Sequence, residues 1–189
     1  MHFEFEALIH FTQSYSLSMA AKSQRSWNEI SWDTSRRGQH MAEMKTKATK
    51  VSVKDFIAKV KNETRRKDAD TLLKVFEKAT GWKAQMWGPT IVGYGRYKYT
   101  YDTGHTGEIC VAGFSPRSAN LVIYQCPDPS GKTAELLAKL GKHKGGLESC
   151  LYINKLEDVD LAVLEKLITL GVATLKKTAK EKNWPVSAS

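Results

Sequence analysis

Residues 81–125 read GWKAQMWGPTIVGYGRYKYTYDTGHTGEICVAGFSPRSANLVIYQ, and the fold turns on how this stretch is parsed. From Val92 to Tyr101 the residues alternate. Tyr97, Tyr99 and Tyr101 share one face, and Arg96, Lys98 and Thr100 share the other. Period two in β-forming residues predicts a half-buried strand. Asp102 to Gly107 supplies turn residues with two glycines, and Glu108 to Ser115 is a second, more apolar run. Pro116-Arg117-Ser118 makes another turn before the third run, Asn120 to Gln125. Three short runs joined by short turns predict an antiparallel meander. Such a sheet has an apolar face that water cannot cover, so helices must shield it.

The flanks supply those helices. Ser52 and Asp55 approximate a capping box ahead of Val53, Phe56, Ile57 and Val60, one apolar helical stripe. Asn62 to Lys67 breaks it. Leu72, Val75, Phe76 and Ala79 repeat the spacing, with Gly81 as terminator. Trp82 to Pro89 reads as a connection. After the meander, residues 126–131 form a loop and Thr133 to Leu140 a short helix stopped by Gly141. Residues 142–146 read as a cationic glycine loop, and Ser149 to Ile153 as a fourth strand. Asp158 or Asp160 opens the last helix, whose stripe is Leu161, Leu164, Leu167, Ile168 and Leu175. The expected order is α, α, β, β, β, α, β, α. The expected class is α+β: an antiparallel sheet of four or more strands with helices packed on one face.

The chain's 189 residues give room for one domain with a real core. Apolar residues at 41% and a mean hydropathy of −0.42 suit a globular protein. No run approaches the roughly 18 apolar residues of a membrane span, and the acidic residues near the N-terminus make a poor secretory signal. Cys110, Cys126 and Cys150 lack CxxC spacing, so reduced thiols in a cytoplasmic protein are expected. Residues 1–40 read as a poorly ordered arm with no sustained period, and Met41 or Met44 as an alternative start. Residues 41–50 read as a basic tether, 51–182 as the domain and 183–189 as a tail. In residues 1–40 the cations Lys22, Arg25, Arg36 and Arg37 cancel Glu4, Glu6, Glu29 and Asp33. The whole net charge of +9 therefore lies in residues 41–189. That excess favours acidic partners.

Several motifs in order carry a family resemblance. They are the segment from Met86-Trp87-Gly88-Pro89 to Tyr94-Gly95 with Tyr97-Lys98-Tyr99, then Ala112 to Arg117, Lys139 to Lys144, and Ser149 to Leu156 with Asp158-Val159-Asp160. Together they resemble the YdhG-like domain-of-unknown-function family across roughly residues 51–176. The resemblance implies a frataxin-like fold, a helix-covered antiparallel sheet. Some members are described as iron chaperones, which implies intracellular iron delivery as one function.

The residues themselves test that implication. A hard cation wants clustered carboxylate oxygens. Asp55 and Glu63 lie among Lys54, Lys59 and Lys61. Asp68, Asp70 and Glu77 lie among Arg65, Arg66, Lys67, Lys74 and Lys78, so no acidic ridge is expected. His105, His143, Cys126 and Cys150 are not at zinc-site spacing, and no metal site or cofactor is expected. No GxSxG, HExxH or phosphate-loop motif occurs, and Cys110 lies mid-strand where thiols pack, so enzymatic function is not expected.

The charge pattern favours binding. Arg96 and Lys98 share a strand face, and Arg117 lies in a nearby turn. Lys139, Lys142, His143 and Lys144 surround glycines whose amides can approach an anion. A solvated basic turn explains the same residues. Trp82, Trp87 and Tyr97 are candidate groove aromatics, with core packing as the plain alternative. The tyrosine row stacks bases if bare, and packs the core if covered. The expected function is a small cytoplasmic, non-enzymatic binding or adaptor module for an anionic ligand or acidic protein partner, nucleic acid among them. A frataxin-like iron chaperone is the alternative.

Overall fold

The computed structural model describes residues 46–101, 104–147 and 150–188. The expectations for residues 1–40, and for a start at Met41 or Met44, lie outside the described residues. Among the described residues, four helices and nine strands follow in order: α1 (Val53–Ala58), α2 (Glu63–Thr80), β1 (Ala84–Trp87), β2 (Ile91–Tyr94), β3 (Arg96–Thr100), β4 (Thr106–Ile109), β5 (Ala112–Pro116), β6 (Leu121–Tyr124), α3 (Lys132–Leu140), β7 (Lys144–Gly145), β8 (Leu151–Ile153), α4 (Leu161–Glu181) and β9 (Val186–Ser187). A short 3-10 turn at Leu156–Asp158 precedes α4. The fold is α+β with antiparallel sheets, as the residue pattern predicts.

A six-stranded sheet runs β1-β2-β5-β6-β8-β7, and a three-stranded sheet runs β4-β3-β9. One bent hairpin links them. The predicted strand over 92–101 breaks at Gly95 into β2 and β3, and its partner breaks at Cys110 and Val111 into β4 and β5. The Val111 amide donates to the Tyr94 carbonyl at 3.1 Å and holds the two halves across the bend. Gly95 has φ +61, and a Cβ there would lie 2.4 Å from the Trp82 ring. The bend falls at glycine because the backbone is left-handed and a ring rests against it.

Register explains the core. Met86, Val92, Phe114, Ile123 and Leu151 stand opposite one another on five successive strands, and all five are buried in one cluster. Over this row lie Leu72 and Phe76 of α2, Leu137 and Leu140 of α3, and Leu164, Leu167 and Ile168 of α4. Phe76 stacks on Tyr94 at 5.1 Å and meets Phe114 at 5.4 Å. Burying about ten such side chains at roughly 1.5–3 kcal/mol each is the main force holding helices to sheet.

The helix boundaries are set by caps. Ser52 accepts from the Asp55 amide, Asn62 from the Arg65 amide, and Asp160 from the amides of Ala162 and Val163. Asn62 therefore begins α2, where sequence alone reads only a break. Asp160, not Asp158, caps α4. Leu161 lies at 37% exposure, outside the expected buried stripe, which Val172 and Ala179 extend instead. At its far end α4 closes with paired bonds: Trp184 N–H to Ala179 O at 2.7 Å, and Asn183 N–H to Lys180 O at 3.3 Å. This is the Schellman arrangement, with Asn183 at φ 55 in the left-handed position.

Three further expectations change. Residues 84–87 form strand β1 rather than a connection. The tether residue Ala48 bridges Trp87, so 46–50 lies along the edge of β1. The expected tail turns back after Asn183, and β9 pairs with β3.

Candidate functional site

Trp82 follows Gly81, the left-handed cap of α2. The chain leaves the helix here, and the Trp82 ring comes down on Gly95 at the bend of the hairpin. The ring is half-buried, and Lys176 Nζ of α4 sits 4.6 Å from its centroid. Lys180 is one helical turn further along α4, so both lysines leave the same side of that helix. The Schellman turn then brings Trp184 back alongside. Its ring stacks on Tyr97 at 6.0 Å and meets Tyr99 edge-on at 6.3 Å, while Lys182 Nζ stands 5.4 Å above it.

Trp82, Lys176, Lys180 and Trp184 line an open cleft of about 440 Å³ together with Val186 and Ser187 of β9. Its remaining wall residue is Ala188, so among the described residues no acidic side chain lines it. A second open cleft of about 570 Å³ also has Trp82 in its wall, with Val53, Lys54, Leu73, Glu77 and Lys83. Trp82 is the shared wall.

The sequence candidates separate into groups. Trp82 and Tyr97 lie at this corner, Trp82 in the cleft wall and Tyr97 beneath Trp184. Tyr97 is half-buried and Tyr99 is 5% exposed, and burial drives the hydroxyl pKa of each upward. The tyrosine row is thus covered rather than bare. Arg96 is occupied, ion-paired with Glu108 at 3.2 Å and bonded to Gln85 at 3.2 Å. Lys98 is exposed, and its amide donates to Pro185 O at 3.1 Å. Trp87 is no groove wall. It is 1% exposed and packs over Gly93, where an added Cβ would lie 2.5 Å from its Cδ1.

Lys139, Lys142, His143 and Lys144 lie at the opposite edge of the six-stranded sheet, around β7. Their lysine side chains are exposed, but the glycines have structural work. An added Cβ at Gly141 would lie 2.3 Å from the Asp158 carbonyl, and Gly146 lies beneath Leu137 and Leu151. The Lys142 amide donates to Asp158 O at 3.0 Å, and Lys144 and Gly145 pair with Tyr152 and Leu151. His143 Nδ1 meets Gly141 O at 2.9 Å. The expected cradle of anion-facing amides is therefore largely taken up by the fold. Arg117 is exposed and donates to the Tyr124 hydroxyl at 3.1 Å.

Arg65, read as a surface cation offsetting Asp68, is instead turned inward at 7% exposure. It donates to the carbonyls of Asn154 at 2.7 Å and Ala119 at 3.4 Å, pinning the start of α2 to the sheet. Desolvation lowers its pKa, and burial raises that of Asp68, whose carboxylate accepts from the Leu156 amide. Cys110, Cys126 and Cys150 are buried thiols, pushed up to about 12, about 11 and about 12 by desolvation. Among the described residues no three His, Cys, Asp or Glu side chains converge as a metal site would require. Among them too, no helix is long and apolar enough to cross a membrane.

Sequence reasoning missed Trp184, Lys176 and Lys180. The signals were present: Asn183 followed by Trp184-Pro185 is a helix end with a left-handed cap and a proline just after it. The lysines at i and i+4 then mark one face of the preceding turn. The chain matches no protein-family model, no curated protein and no solved structure.

Proposed function

We propose that this protein is a non-enzymatic, cytoplasmic binding module for an anionic ligand, and that the ligand seats in the cleft between Trp82 and Trp184. One observation carries the reading. Two lysines of α4 and two indoles border the same cleft, and none of its wall residues is acidic. An anion entering there meets positive charge with no acidic side chain among the described wall residues, and the indoles keep bulk water from part of its surface. The glycine loop around Lys142 and Lys144 supports the reading less, because its amides already serve β-pairing and the contact with Asp158.

The non-enzymatic part rests on the thiols. Each is buried with its pKa raised by desolvation, so none is a thiolate nucleophile near neutral pH. Buried thiols also suit a reducing compartment. The frataxin-like iron reading finds no convergence of carboxylates to rest on among the described residues.

The test is calorimetric titration of the full chain with inorganic pyrophosphate at low and at physiological salt. Binding that weakens steeply with salt and is lost in the double variant Lys176→Glu/Lys180→Glu is expected. Binding that is instead lost in Lys142→Glu/Lys144→Glu moves the site to β7. Absence of binding at either salt removes the proposal.

A further inference from the structure

Resting on the anion-binding reading, we infer that residues 184–188 form a strap that opens and closes about Asn183, and that an anion in the cleft holds it shut. The cleft is built from two sides. Trp82, Lys176 and Lys180 come from the body of the fold, and the other four of its seven described wall residues come from the strap. The site is complete only while the strap lies against β3.

The strap's hold on β3 is slight. Its ladder has two pairs, Arg96 with Ser187 and Tyr97 with Val186. Beside them the Lys98 amide donates to Pro185 O at 3.1 Å, and proline has no N–H to return the bond. Pro185, Ser187 and Ala188 are exposed. The apolar hold comes from two half-buried side chains, Trp184 stacked on Tyr97 at 6.0 Å and Val186 packed against the core cluster. By contrast, β6 is buried at all four positions and paired on both sides. A segment with few buried apolar contacts and exposed backbone bonds opens at a lower free energy than the core does. The pivot is Asn183, a non-glycine residue at φ 55 between α4 and the strap. Rotation there carries Trp184 and β9 away together, while α4 keeps Lys176 and Lys180 in place.

An anion touching both sides of the cleft binds the closed form better than the open one, which lacks the strap's wall residues. Occupancy then shifts the population toward the closed form. The open form uncovers the ring faces of Tyr97 and Tyr99 that Trp184 occupies. Ligand occupancy thereby sets how often the tyrosine row is uncovered.

The experiment is native-state hydrogen exchange of the full chain by nitrogen-15 NMR, first without ligand and then with inorganic pyrophosphate. Without ligand, the Lys98 amide is expected to be at least about 100-fold less protected than the Ile123 amide of β6. Asn183→Ala is expected to speed exchange at Lys98 about fivefold, and Asn183→Gly to leave it unchanged or slower. Pyrophosphate at about ten times its Kd is expected to slow exchange at Lys98 roughly tenfold. Equal protection of Lys98 and Ile123 would overturn the strap, because β9 would then open only with the whole fold. Indifference of Lys98 to Asn183→Ala overturns the pivot. Pyrophosphate binding that leaves Lys98 exchange unchanged overturns the coupling and leaves the anion reading intact. Absence of pyrophosphate binding removes the anion reading and the coupling with it, and this failure is distinct because the opening itself is read without ligand.

Discussion

Gly95 does two things at one position: it turns the hairpin with φ +61 and leaves room for the Trp82 ring. Gly95→Ala combines backbone strain with a steric conflict, so a loss of about 1–3 kcal/mol is expected in urea denaturation. The half-buried ring can relieve the conflict by swinging out, which would red-shift the tryptophan emission. A variant as stable as the parent, with unchanged emission, would show that Trp82 does not rest there. The buried thiols make a second prediction at this scale. Their pKa values rise from 9.0 to about 11–12 on folding, so the folded state keeps protons that the unfolded state loses. Their contribution is full below pH 9 and is lost as pH climbs toward 12, at about 1.4 kcal/mol per pH unit for each thiol in that window. Denaturation between pH 8 and 11 should show this fall, and Cys110→Ala should flatten it. At pH 8 the native protein should leave a thiol reagent nearly unreacted, with all three cysteines reacting on unfolding.

At the scale of elements, the end of α4 decides more than its length suggests. The turn at Asn183 sends Trp184 over Tyr97 and brings β9 to the edge of β3. Asn183→Ala puts a Cβ-bearing residue without a local polar side chain into the left-handed region and should cost about 1 kcal/mol, while Asn183→Gly should be neutral or slightly stabilising. Chemical denaturation of the pair checks the sign, and equal losses would rule the turn out. Trp184→Ala removes the lid on the tyrosine row, and a loss of about 1–3 kcal/mol is expected, less than for a fully buried tryptophan. The helix starts were legible only in part: Ser52 as a cap, Asp160 as one of two candidates and Asn62 not at all, although each bonds amides two or three residues on. The helices themselves were readable from sequence by their apolar stripes. The strand division at Gly95 was not, since Tyr97 and Tyr99 keep the same alternation whether or not the hairpin bends between Tyr94 and Arg96.

For the whole molecule, two separated groups of exposed lysines are the candidate anion sites: the β7 edge with Lys142 and Lys144, and the α4 face with Lys176 and Lys180. Charge reversal at each place, compared in one pyrophosphate titration, should weaken binding by roughly tenfold or more at α4 and only about twofold at β7, where long-range attraction alone is lost. A reversed order would place the anion on the glycine loop. Of the candidate aromatics, composition could not separate Trp82 from Trp87. Both lie in the short stretch between α2 and the run that starts at Ile91, yet one lines a cleft and the other is 1% exposed over Gly93.

What the chain's own pattern determined is local: alternation made strands, i and i+4 apolar spacing made helices, and small polar residues and glycines set their ends. The α+β class follows, because an antiparallel sheet with an apolar face and several amphipathic helices bury their surfaces together. Tertiary structure alone decided which lysines gather and which indole stays at the surface. The cleft joins residue 82 to residues 176–188, and a one-dimensional pattern records which residues are apolar or charged, not which distant segment comes to lie beside them.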